Sequence, residues 1–147
     1  MTGNRISSKT WLPLGAAMIF AVAALGSYSC IATAADIRIM LSGDQEVPPV
    51  KSTGQGSGTI TISADGAVAG SVTTTDISGT AAHIHEGAKD KNGPVIIPFA
   101  KDGNTYTAPE GAKLSELQLA SLRAGNLYIN VHTAANPGGE IRGQLNP

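Results

Sequence analysis

Residues 126–133 carry Leu127, Ile129 and Val131 at every second position, with Tyr128, Asn130 and His132 between them. Successive side chains of a strand point to opposite faces, so this spacing makes one apolar face and one polar face. The pattern recurs elsewhere. Ile37, Ile39 and Leu41 alternate with Arg38, Met40 and Ser42, and Ile60 and Ile62 alternate with Thr59 and Thr61. A chain written in short period-2 runs is committed to half-buried strands.

Turn chemistry fills the gaps between these runs. Asp65-Gly66 makes 57–75 a hairpin whose return strand is 67–75. Residues 43–58 are expected as a loop, because Pro48 and Pro49 cannot donate to a central ladder. A short strand follows at 81–85, a polar turn at 86–93, and an apolar run at 95–99. Gly103-Asn104 turns the chain into 105–107, and Asn136-Pro137-Gly138-Gly139 leads into a last strand at 140–145. One helix interrupts the series. Leu114, Leu117, Leu119 and Leu122 form a loosely amphipathic segment, Ser115 and Gln118 fit a capping box, and Gly125 stands where a left-handed C-cap belongs. It is too short to carry a fold and reads as a crossover packed on a sheet. Seven or so short strands with frequent turns predict an all-β Greek-key sandwich with one short helix.

The N-terminus belongs to another pattern. Arg5 and Lys9 precede an uncharged apolar run at 11–25, and Ala32-Thr33-Ala34 offers small residues at a cleavage site. Residues 1–34 are therefore expected to be a signal peptide, with the mature domain at 35–147 and a periplasmic or secreted location. An uncleaved anchor and lipidation at Cys30 are the competing readings. Removal of 1–34 takes away Arg5 and Lys9 and turns the formal charge of -1 into -3. No general attraction to nucleic acid or to a membrane surface follows from that charge. It also removes Cys30, the single cysteine, so neither a disulfide framework nor a cysteine zinc cluster is available. A 113-residue domain without disulfides relies on its apolar core, with a bound metal or a partner subunit as added support.

The chemistry concentrates in three histidines. His83 and His85 are two apart, so in a strand they share a face at roughly 6–7 Å. His132 lies on the polar face of the best-defined strand. Three imidazoles without sulfur ligands suit copper or, alternatively, zinc, and affinity is then expected to fall below about pH 6 as the rings protonate. The structural alternative has His85 bonded to Glu86 or a turn carbonyl and His132 capping the following loop. Other chemistry is poorly supported: no nucleophile elbow, no calcium loop and no phosphate-binding glycine loop is present. Glu140 and Arg142 share a face of the last strand and are expected to pair.

Four segments resemble the CHRD domain, the chordin-type domain of many bacterial exported proteins: LSGDQEVPPV at 41–50, AHIHEG at 82–87, NGPV at 92–95, and GNLYINVHTAANPGGEIRGQL at 125–145. The resemblance covers 36–147 and implies an immunoglobulin-like sandwich with limited similarity to Cu/Zn superoxide dismutase. On that similarity His83, His85 and Glu86 match an H-x-H-E pair, and Val131-His132 matches a late copper-bearing strand. Arg142 matches an arginine that attracts the anionic substrate. A fourth, bridging histidine, a clear zinc site and a cysteine pair are missing, so the similarity implies a mononuclear copper site of His83, His85 and His132. Two functions follow. One is metal storage, buffering or superoxide-related redox chemistry. The other is a non-catalytic interaction module whose 46–49 loop and sandwich edges meet a protein partner, or a second copy in a homodimer, while the histidines are structural.

Overall fold

The computed structural model describes residues 1–3 and 34–147. The expected leader, including the apolar run and Cys30, lies outside the described residues. The described chain is all-β with one short helix. Its strands are β1 (Ala35–Ser42), β2 (Gln55–Ile62), β3 (Val68–Thr75), β4 (Gly79–Glu86), β5 (Val95–Pro98), β6 (Ala100–Asp102), β7 (Thr105–Thr107), β8 (Leu127–Thr133) and β9 (Ile141–Leu145). The helix α1 (Glu116–Arg123) lies between β7 and β8.

Every pairing is antiparallel, and the strand order is β5-β4-β8-β9-β1-β2-β3-β7-β6. The two outermost strands of that order are neighbours in the chain, separated only by Phe99. β5 bonds to β4, β6 bonds to β7, and the Phe99 N–H donates to the Ala82 carbonyl at 2.9 Å. One segment, 95–102, thus nearly closes the sheet on itself. The remaining open edges are four and three residues long, so edge-to-edge pairing of two copies has little backbone to use.

The apolar faces meet inside. Leu41, Ile60, Val72, Ile84, Ile129, Val131, Ile141 and Leu145 are fully buried, and Tyr106 joins them. Each such aliphatic side chain contributes about 1.5–3 kcal/mol when buried. The helix closes one end with Leu119 and Leu122. Both halves of the Ser115–Gln118 capping box are made. At the other end Gly125 has φ 71°, and the bonds Gly125 N–H to Leu122 O and Asn126 N–H to Ser121 O complete a Schellman stop.

Two expectations need adjusting, and one strand carries no signal in the sequence. β2 begins at Gln55, inside the span read as loop. Its Gly56 and Gly58 have weak strand preference, but they sit opposite Leu41 and Ile39 in register, and pairing on both sides holds them extended. The exposed run at 100–102 is a strand by pairing alone. Glu140 and Arg142 do not pair. Glu140 precedes β9 and accepts bonds from Thr133 Oγ1, Ser52 Oγ (2.7 Å) and Asn136 Nδ2 (3.1 Å). Those bonds, led by Thr133, hold its pKa below the ordinary 4.5.

A folded pKa below the unfolded one adds stability above the unfolded value, and that stability is lost as pH falls through the folded value. Glu140→Gln should therefore cost about 1 kcal/mol near pH 7. The gap to wild type in urea midpoint should close below pH 4.5. A gap that is constant down to pH 3 would assign the loss to shape rather than charge.

Candidate metal centre

The outer face of β4, β8 and β9 is polar in sequence yet largely buried. His85 faces Tyr128 and Tyr128 faces Gln144; His83 faces Asn130 and Asn130 faces Arg142. His132, opposite Ala81, sits one diagonal step from His83. Loops 43–54, 87–94 and 134–140 fold over this face, and His85, Tyr128, Asn130 and Arg142 retain 7, 2, 2 and 1% exposure. The domain thus has a second, polar core outside the sheet.

The sheet brings the three histidines together, although 49 positions separate His83 from His132. One ring nitrogen from each lies within 4.8 Å of the others. Nitrogens bound to one ion at about 2.0–2.1 Å are at most about 4.2 Å apart, so closure needs side-chain movement on the order of 1 Å. Two backbone carbonyls already set the tautomers. His85 Nδ1–H donates to Gly93 O at 2.9 Å, and His132 Nδ1–H donates to Pro137 O at 2.9 Å. Each Nε2 is left as a lone pair. That of His132 accepts from His83 Nδ1 at 3.0 Å. That of His85 is buried and has no hydrogen-bond partner among the described residues. Ligating histidines usually give their second N–H to a carbonyl or carboxylate in this way, so the donor set fits a nitrogen-bound ion.

Electrostatics favour the ligand form. Burial moves the His83 pKa down from the usual imidazole value, and the neighbouring His132 and His85 push the same way. Burial also lowers His85, with His132 and Arg142 pushing the same way, against the opposing pull of hydrogen bonding with Gly93 and Asn130. Both rings therefore hold fewer protons to displace at neutral pH than free imidazole would.

The other named residues have different places. Glu86 accepts a hydrogen bond from Ser121 on α1 and takes no part in the cluster. Arg142 is close by, with its guanidinium carbon 3.4 Å from the Tyr128 ring centroid, but it bonds to Lys91 O, Ala88 O, Asn92 Oδ1 and Gln144 Oε1. Asn92 also donates to Val47 O. Residue type alone does not single out Glu46. It stands in the loop assigned to partner contact, yet it is 4% exposed and its Oε1 has no partner among the described residues. Burial raises its pKa, offset in part by Asn130 and Arg142. Gly139 covers it so closely that a Cβ there would stand 2.3 Å from that oxygen. An acid beside two prolines and a valine was the available signal.

A model of the CHRD domain matches residues 37–145, which include all three histidines and Arg142. No curated protein and no solved structure matches the chain.

Proposed function

The chain belongs to the CHRD domain family, and from that premise we propose that it is an exported protein, periplasmic or secreted, binding one copper ion through His83, His85 and His132. The observation that carries this reading is the convergence of three imidazoles, one ring nitrogen from each within 4.8 Å of the others, with the His85 Nε2 buried and without a hydrogen bond among the described residues. An isolated buried acceptor costs about 1–3 kcal/mol, and an ion would repay that cost. Imidazole donors without sulfur favour Cu(II), which binds such sites more tightly than zinc; zinc is the competing ion. Bound copper would supply either storage and buffering or one-electron exchange with superoxide. The protein's own part is to hold the three rings together, to set the His85 and His132 tautomers with backbone carbonyls, and to bury His85 behind the loops.

The second reading, an interaction module with structural histidines, draws on the bonds it expects, His85 to the Gly93 turn carbonyl and His132 to Pro137 O in the following loop, and on the His83–His132 bond. It leaves the His85 Nε2 without a hydrogen bond among the described residues. Titration separates the readings. Saturation at one copper per chain is expected, with thermal stabilisation that grows with free copper; at 100 times Kd the gain is about 2.7 kcal/mol. Absence of saturable binding, with an unchanged Tm in copper and in zinc, would reject the metal reading. Copper that binds but leaves superoxide untouched would restrict the function to storage or buffering.

A further inference from the structure

We propose that Arg142 is a positioning residue that locks His85 in its metal-ready orientation, gripping it from two sides. Its functional meaning rests on the metal-binding reading above; its structural content does not.

The first grip is a stack. The Arg142 guanidinium lies over the Tyr128 ring at 3.4 Å, and Tyr128 stacks on His85 with centroids 4.9 Å apart and planes 9° from parallel. The strand order β4-β8-β9 puts Tyr128 between the other two. The second grip runs through the loop at 87–94. One terminal nitrogen of Arg142 donates to Lys91 O at 3.1 Å and Asn92 Oδ1 at 3.3 Å; the other donates to Ala88 O at 2.9 Å and Gln144 Oε1 at 3.2 Å. That loop carries Gly93, whose carbonyl accepts a hydrogen bond from His85 Nδ1–H and whose N–H donates to Tyr128 Oη at 3.2 Å. The ring and the carbonyl that sets its tautomer are thus both tied to one guanidinium.

The chemistry requires arginine rather than positive charge alone. A planar fork can stack on a phenol ring and serve four acceptors at once, whereas an ammonium is a hydrated point charge with three donors. With 1% exposure and its terminal nitrogens turned to protein acceptors, this side chain is arranged as a strut. An arginine that draws in anions would keep N–H groups open to solvent.

The test compares Arg142→Lys with Arg142→Gln in the full-length chain. Nitrogen-15 NMR of the metal-free protein reads the His85 tautomer. Wild type should hold the Nδ1–H form almost completely, and both variants should show a mixture. Copper affinity should fall by roughly 10–100-fold in both, the usual scale for losing an outer-shell partner. Recovery of wild-type tautomer and affinity by lysine would overturn the proposal, since charge would then suffice. If neither variant folds, Gln144→Ala decides, because it removes one acceptor of the fork and the bond from Gln144 Nε2 to Gly87 O. An unchanged His85 tautomer in that variant would equally overturn the proposal. A wild type that binds no metal, with the tautomer lost in both variants, would uphold the strut and remove the metal reading.

Discussion

His132→Ala is expected to abolish tight copper binding while leaving the sheet folded. His132 lies on the outer face of β8, whose inner face contributes Leu127, Ile129 and Val131 to the core. Truncation therefore removes no core contact. It does remove the bonds to Pro137 O and to His83 Nδ1, a loss of about 1–2 kcal/mol for two partly exposed hydrogen bonds. Deleting an outer-shell partner of a ligand costs roughly 10–100-fold in affinity, so deleting the ligand itself should cost at least 100-fold.

Thermal denaturation with and without copper makes the loss visible. At a copper level 100 times the wild-type Kd, wild type gains about 2.7 kcal/mol. A variant bound 100-fold more weakly sits at its own Kd and gains only about 0.4 kcal/mol under the same conditions. Nitrogen couplings in the copper spectrum should fall by one ligand in whatever binding survives. Equal copper stabilisation of variant and wild type would place the ion elsewhere and empty the three-histidine assignment.

How far the sequence could reach is clear from particular residues. Alternation in β1 reports burial directly, because a sheet with one covered face needs every second residue apolar; in β8 it marks the apolar face, while the polar face is buried as well. The helix ends were equally legible, since Ser115, Gln118 and Gly125 act through bonds made within a few positions. Closure by 95–102 was not, because it depends on pairings with β4 and β7 that no local pattern encodes. The candidate site divides the same way. His83 and His85 share a face by spacing alone, but their meeting with His132 needs the β4–β8 register. The carbonyls of Gly93 and Pro137 are invisible in a sequence because every residue has one. Arg142 and Glu46 look solvent-facing by residue type, and only the covering loops turn them inward.

Gly93→Ala should damage this site more than any other single methyl added to its loops. The position has no need of a left-handed backbone; its constraint is space. A Cβ at Gly93 would stand 1.6 Å from the Glu86 carbonyl oxygen and 2.6 Å from its carbon, both backbone atoms of β4. Neither can rotate away, so the loop itself must lift. Overpacking of this kind costs about 1–3 kcal/mol. Lifting also moves the Gly93 carbonyl off His85 Nδ1 and the Gly93 N–H off Tyr128. Copper affinity should accordingly drop roughly 10–100-fold. Gly138→Ala is the matched control, next to the Pro137 carbonyl that holds His132, with nothing within 4 Å of its added carbon. It should bind copper as wild type does. If Gly93→Ala loses stability but keeps full affinity, the carbonyl does not hold His85 in its ligand tautomer, and burial of the ring alone must orient it. If Gly138→Ala weakens binding equally, loop disturbance of any kind suffices and the placement of these carbonyls carries no special weight.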